Sequence, residues 1–339
     1  MKRNGKPTIR DVSRKANVSV ATVSRVLNNQ PGFSEETRRK VLQAIEELGY
    51  HPNQIARGLV SRKTRTVGVL FPVVSSMFSA ALLAGIEAEA NRRDYGVIVC
   101  NMGAKGDRFE RVIAMMAEKR VDGLLFVSEW LGERFAEKLK SLSVPVVLVS
   151  TGSPGSPFPY VKADDFRGAF QAARYLLEAG HRRIGMVSGP PEDPIAGGPR
   201  IEGYRHALRS YGIAPSDRDI AVAAFDFHSG LRAAGELLDR SPDLTAIFAA
   251  GDEMAAGVLA CCYQRGLRVP DDLSVIGYDN LALADMTSPP LTTVAQPLER
   301  MGRTAMEMLL SMLEGGGEPE SLLLETSVVE RKSVRIMPS

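Results

Sequence analysis

The sequence predicts a small all-α head joined to a larger α/β body of two lobes. Three observations predict it. Charge is split along the chain: residues 1–62 hold 12 Lys/Arg and 5 Asp/Glu, a net +7, against a net −5 over the remaining 277. The head shows three short helical periods between capping signals. From Thr66 onward, short apolar runs alternate with helical patterns, and a Pro/Gly/Ser-rich break at 152–159 divides that alternation in two. At 339 residues the chain exceeds one ordinary domain, and 44% apolar with 24% charged residues are globular proportions. No apolar run approaches the roughly 20 residues of a membrane span. The basic start lacks the apolar stretch of a signal peptide. Three cysteines, two of them adjacent (Cys261, Cys262), give neither a disulfide framework nor a zinc spacing. The expectation is a cytoplasmic protein without a metal or cofactor. A basic head on a mildly acidic body points to a polyanion partner.

The head reads as follows. Thr8 with Asp11 resembles a capping box and opens a helix to Ala16, with Ile9, Val12 and Ala16 on one face. Asn17 tolerates the left-handed exit that ends it. Ser19 caps a second helix over residues 20–28, whose Val23, Val26 and Leu27 face a core. Ser34 caps a third, with Val41, Ala44, Ile45 and Leu48 as its apolar stripe and Gly49 as its stop. Two short helices backed by a third make a helix-turn-helix. The far side of the second helix carries Val20, Ala21, Ser24, Arg25 and Asn28. An exposed face of this kind suits a major groove, with Arg25 on guanine O6 and N7 and Val20 and Ala21 on a thymine methyl. Taken alone, Arg25 is an ordinary solvated arginine; the arrangement gives it meaning. After Pro52, Asn53 can cap a single weak turn that carries Leu59, an apolar residue without a core of its own. Leu59 either wedges into a minor groove or packs on the body. Residues 61–66 are polar and read as a linker.

These residues together, Thr8–Val12, Ala16–Asn28, Ser34–Arg38 and Glu47–Asn53, resemble the LacI/GalR family of bacterial transcription regulators. The resemblance runs through the body and covers nearly the whole chain. It implies a homodimeric repressor, each subunit reading half of a pseudo-palindromic operator. It implies base reading by Val20, Ala21 and Arg25, and a minor-groove lever at Leu59 with Ala56 beside it. Thr8, Ser19, Thr22, Ser24 and Asn28 fall where family members hold phosphates or frame the reading surface. Asn17 departs from the usual Gly.

In the body, strands are expected at 67–71, 96–100, 123–127, 144–149, 183–188, 220–224, 246–250 and 273–277. Helices are expected near 78–93, 109–119, 168–178, 200–211, 229–239 and 252–265. The resemblance implies the two-lobed periplasmic-binding-protein fold, with parallel sheets and three crossings between lobes. These are placed near 161–164, 293–297 and 318–323. The expected organisation is a head over 1–50, a hinge helix and linker over 51–65, a first lobe over 66–162 plus 295–320, and a second lobe over 163–294 plus 321–339.

Ligands of open α/β sheets sit beyond the carboxyl ends of strands, here in the cleft between lobes. Arg200, expected to begin a helix, can fork onto hydroxyls or a carboxylate. Asp279 at a strand end can accept from a polar ligand, and Phe227 offers a flat apolar face. Met77 and Phe78 follow the first strand; Ser128 and Ser150 follow others. All seven match positions near the effector in the resembled family. Phe227 and Phe78 could equally be core, and Asp279 a turn cap. Three departures touch the pocket: Ser75-Ser-Met-Phe78 after the first strand, Gly251 where many sugar responders have Asn, and a loop after Phe227 that looks about two residues short. A sugar or sugar derivative is the expected effector class. No dinucleotide fingerprint, P-loop or nucleophile elbow is present, and no catalytic residue is assigned. The competing class is a small-molecule carrier or enzyme whose basic head serves another purpose.

Overall fold

The computed structural model describes residues 7–27, 31–50, 63–103, 106–128, 132–152 and 155–337. The expected roles of Asn28, Asn53, Ala56 and Leu59 lie outside the described residues. The chain divides at Thr64/Arg65 into two units.

The head unit is three helices: α1 Ile9–Ala16, α2 Val20–Leu27 and α3 Glu35–Leu48. Asp11 accepts from both the backbone and the hydroxyl of Thr8, at 2.9 and 2.6 Å, which closes the reciprocal cap. Asn17 leaves α1 in the left-handed conformation at φ 52°, as its side chain permits. Ser19 Oγ accepts from the Thr22 amide at 3.0 Å and starts α2. Ser34 does the same for α3 through Thr37. The core is Val12, Ala16, Val23, Val26, Val41 and Ala44, with Ile9, Leu27, Ile45 and Leu48 packed against it.

The body unit holds two six-stranded sheets. In chain order, the first lobe contains β1 Thr66–Phe71, α4 Met77–Arg92, β2 Gly96–Asn101, α5 Phe109–Lys119, β3 Gly123–Val127, α6 Glu133–Ser141, β4 Val146–Val149 and β5 Tyr160–Ala163. The second contains α7 Asp165–Glu178, β6 Ile184–Ser188, α8 Gly197–Ser210, β7 Ile220–Val222, α9 Phe227–Arg240, β8 Ala246–Ala249, α10 Asp252–Gln264, β9 Ser274–Asp279, α11 Leu283–Met286 and β10 Thr292–Ala295. Then come α12 Leu298–Leu313, β11 Leu322–Leu324 and β12 Ser327–Val329. The first sheet is ordered β11-β5-β4-β3-β1-β2 and is parallel throughout. The second is ordered β12-β10-β9-β8-β6-β7 and is parallel except at β12, which runs antiparallel to β10.

The chain crosses between lobes three times: from β5 to α7, from β10 to α12, and from β11 to β12. The last crossing lies beyond its expected place at 318–323, and the boundary expected at 320/321 is corrected accordingly. Leu322–Leu324 pairs with β5 and so belongs to the first sheet. That pairing partner lies about 160 residues away, which no local pattern reveals. Arg200 does not begin a helix either: α8 starts at Gly197 and Arg200 sits in its first turn. Helices α4 and α12 touch through glycines. A Cβ at Gly85 would meet the Glu299 carbonyl, and one at Gly302 the Leu82 carbonyl, so only glycine allows this approach. Leu281, from a loop of the second lobe, packs into the core of the first.

Candidate functional site

The first candidate surface lies on α2. Its Val23 and Val26 are buried, which turns the opposite face outward. Val20 is 41% exposed, and Ala21 and Arg25 are exposed beside it. Ser19 and Thr8 are exposed; Thr22 and Ser24 are half-buried. Arg25 has no ion pair among the described residues, and its guanidinium lies alongside Gly32. A short helix thus presents two small apolar side chains and one unpaired arginine, framed by hydroxyls. These are the groups that meet base edges and phosphates.

The second candidate surface is built at the carboxyl ends of the second lobe's strands. Arg200 is only 5% exposed. Its Nε and Nη2 both donate to Asp165 Oδ1, at 3.0 and 2.8 Å, and Nη1 donates to the Ala250 carbonyl at 2.6 Å. Nη2 also stands 4.0 Å from Asp279 Oδ1. The guanidinium lies 3.8 Å above the Tyr278 ring centroid and 5.8 Å from that of Phe225. Burial works against its charge, but the Asp165 carboxylate, Tyr278 and Asp279 overcome it and hold Arg200 firmly protonated. The fork expected to grip a ligand is therefore largely spent inside the protein. A buried guanidinium needs such partners, and Asp165 supplies them from the first turn of α7.

Asp279 ends β9 with a left-handed φ of 110°, and its Oδ1 accepts from Gln296 Nε2 at 2.7 Å. Asp252, fully buried, accepts from Thr293 Oγ1 at 2.6 Å and from the Leu281 amide at 2.7 Å. Burial pushes both carboxyls up. Asp279 adds to the rise of Asp252, while Thr293 and the Leu281 amide oppose it. Arg200 and Gln296 oppose the rise of Asp279. A carboxyl raised on folding contributes stability that is fully present below the ordinary carboxylate range, near pH 4, and is lost as pH climbs through the raised value. The neutral isostere Asp252→Asn is thus expected to match the wild type in thermal stability at about pH 3, to exceed it increasingly as pH rises above about 4, and to exceed it most at about pH 8. Equal pH dependence of the two melting curves would show that Asp252 is ionised throughout.

The remaining residues separate. Met77 lines a cleft of about 650 Å³ that also takes in Asp279, Gln296 and Leu281. The Met77 amide donates across the lobes to Glu253 Oε1 at 3.0 Å. Phe78 is half-buried and packs on the first-lobe core, the plainer of its two expected roles. Ser128 and Ser150 follow β3 and β4 in left-handed conformations; Ser128 Oγ is buried without a hydrogen-bond partner among the described residues. Neither serine lines this cleft. Phe227 opens α9, is 39% exposed and contacts His228. The aromatic beside Arg200 is instead Phe225. Its left-handed φ of 59° turns the ring onto Gly189 and toward Gly251. A Cβ at Gly251 would stand 3.7 Å from Asp279 Oδ2 and 3.8 Å from the Phe225 ring, so the absent side chain leaves both open to each other. Sequence reasoning missed Asp165, Phe225, Asp252 and Gln296. Asp164 caps α7 through the Arg167 amide, while Asp165 beside it pairs with Arg200. Among the described residues no group of His, Cys, Asp and Glu is arranged to hold a metal ion, and no helix is long and apolar enough to cross a membrane.

Comparison with known proteins identifies the family of both parts of the chain. Residues 8–53 match the profile of bacterial regulatory proteins of the lacI family, and residues 173–334 that of the periplasmic binding protein-like domain. The chain is 43% identical to catabolite control protein A of Priestia megaterium over 302 residues, covering 89% of this chain and 91% of that one. It is similar to the solved structure of the transcriptional regulator CelR in complex with cellobiose, at 36% identity and a TM-score of 0.74, over 96% of this chain and 99% of the other. It is also similar to the lac repressor dimer bound to operator and the anti-inducer ONPF, at 28% identity and a TM-score of 0.89, over 98% and 100%. A helix-turn-helix head, a two-lobed α/β body and relatives spanning nearly its whole length agree: the chain belongs to the lacI family of bacterial regulatory proteins.

Proposed function

We propose that this chain is a homodimeric transcription repressor of the cytoplasm whose hold on a two-fold operator is set by a small molecule in the interlobe cleft. The observation that carries this reading is the outward face of α2, where Val20, Ala21 and Arg25 stand free over a buried Val23–Val26 seam. Arg25 reads guanine, Val20 and Ala21 meet thymine methyls, and Thr8, Ser19, Thr22 and Ser24 hold the phosphates on either side. Asn28, Asn53, Ala56 and Leu59 complete the DNA contact, with Leu59 in the minor groove. The relatives are regulators, and this chain acts by binding rather than catalysis.

In the cleft, Asp279 and Gln296 accept and donate to the effector's polar edge, and Phe225 gives it an apolar face. Arg200 is a positioning residue that holds Asp165, Asp279 and the Tyr278 ring in register. Met77 faces the ligand from the first lobe. Related structures carry cellobiose or an anti-inducer, which supports a sugar or sugar derivative here. Because the lobes meet through the Met77–Glu253 hydrogen bond and the Leu281 plug, a ligand that moves one lobe must remake both. Ligand and DNA then change each other's affinity by the same factor.

The test is selection of duplexes by the full chain from a random pool, followed by affinity against salt. Enrichment of a two-fold symmetric sequence is expected, with log affinity falling steeply against log salt because several Lys/Arg displace counterions. Failure to enrich any sequence, with a flat salt response, would return the carrier or enzyme reading.

A further inference from the structure

We propose that Arg331 is a positioning residue that sets the contact between the lobes, by clamping the loop 280–291 that the second lobe inserts into the first. The inference rests on the effector reading above and deepens it, since it names a residue through which closure of the cleft is regulated. The loop leaves β9 and ends at β10, so both its ends are fixed in the second sheet. Leu281 is buried in the core of the first lobe, and Leu283 packs against that core. Ala284 and Leu291, from the same loop, are buried in the core of the second. The segment is thus shared between two cores. Its only regular structure is the four-residue α11, so its shape has to come from outside.

Arg331 supplies that shape. It lies two residues beyond β12, just past the third crossing between lobes. Its Nη2 donates to Asn280 Oδ1 at 2.9 Å, its Nε to Asp285 Oδ1 at 2.7 Å and its Nη1 to the Leu291 carbonyl at 3.0 Å. These acceptors stand at the beginning, the middle and the end of the loop. The Arg331 amide adds a bond to Thr292 Oγ1 at 2.9 Å. Asp285 is exposed, so that ion pair contributes little, but the Arg331 side chain is only 14% exposed and its bonds to Asn280 and Leu291 are partly shielded from water. A planar guanidinium can reach three separated acceptors at once; a lysine ammonium is a compact point charge and cannot.

The first turn of α10 ties this loop to the other interlobe contact. Asp252 accepts from the Leu281 amide, and the adjacent Glu253 accepts from the Met77 amide across the lobes. Met77 begins α4, where an amide has no partner within its own helix. Releasing the loop withdraws Leu281 from the first lobe and leaves the exposed Met77–Glu253 bond as a lone bridge, which is weak by itself. The Met77 amide therefore reports on closure from a lobe to which Arg331 makes none of these bonds. Arg331 also opposes the rise of Asp252 through its charge. Arg331→Lys keeps that charge and removes the fork, so it separates the two effects.

Hydrogen exchange at single amides of the full chain tests the proposal, with Arg331→Met, Arg331→Lys and Leu281→Ala beside the wild type. In Arg331→Met the Leu281 amide is expected to exchange about tenfold or more faster, and the Met77 amide to lose its wild-type protection. Amides of β6, Ile184–Ser188, should keep their wild-type rates. Arg331→Lys should behave like Arg331→Met, and it carries the test alone if the methionine variant does not fold. Leu281→Ala should free the Met77 amide as well, and adding Arg331→Met to it should change Met77 no further, because both act through one contact. Wild-type rates at Leu281 and Met77 in Arg331→Met would overturn the proposal. So would full restoration by lysine, which assigns the effect to charge, or a rise at β6 as large as at Leu281, which means that the second lobe merely loosens. Operator affinity of the same preparations is measured without added effector. Its absence in the wild type would count against the repressor reading, separately from the exchange result.

Discussion

Arg200→Ala is expected to destabilise the body by about 3–5 kcal/mol, a large share of the roughly 5–15 kcal/mol of a domain of ordinary stability. The reason is what remains behind. Asp165 is buried and takes two of the Arg200 hydrogen bonds, and Asp279 lies within 4.0 Å of the same group. Removing the cation leaves two carboxylates facing each other, with Lys162, at 3.4 Å from Asp165, as the remaining cationic partner among the described residues. The Ala250 carbonyl also loses its Nη1 donor. Urea unfolding measures the loss. Replacing the acid as well, in Arg200→Met with Asp165→Asn, should recover part of it, because an apolar isostere does not strand a charge. If Arg200→Ala unfolds at wild-type urea concentration, the guanidinium is not the keystone of the cluster, and a direct ligand role would take precedence.

Arg25→Ala is expected to leave the fold intact and to flatten base discrimination at one pair in each half-site, by about 1–3 kcal/mol for a bidentate contact. Arg25 is exposed and takes part in none of the head's core contacts, so stability offers no competing explanation. Binding of the enriched duplex and its single-base variants, compared for wild type and variant, gives the number. Full discrimination in the variant would remove Arg25 from the reading set. A uniform loss across all variants would make it a phosphate contact instead.

These two residues mark what was legible in the sequence. The α2 face could be read because everything that defines it is local. Ser19 caps the helix, Val23 and Val26 set its buried side, and periodicity places Arg25 on the other. Alternation of strand and helix likewise gave the body, since each βα unit is written in about thirty consecutive residues. What escaped was non-local. Arg200 and Asp165 are 35 positions apart and meet only because α7 and α8 pack side by side. β11 joined the first sheet through a partner near residue 161. Phe225 was passed over for Phe227 because a left-handed φ at a non-glycine residue is set by its surroundings, here Gly189 and Gly251, and leaves no composition signal. Gln296 carries no signal until Asp279 is placed beside it.

The account stands on α2 entering a major groove, and methylation protection of guanine N7 on the enriched duplex tests that most directly. The wild type should shield one guanine N7 at symmetric positions in both half-sites, and Arg25→Ala should leave those same guanines reactive. Guanines that stay reactive under saturating wild-type protein, or that remain shielded by the alanine variant, would contradict it.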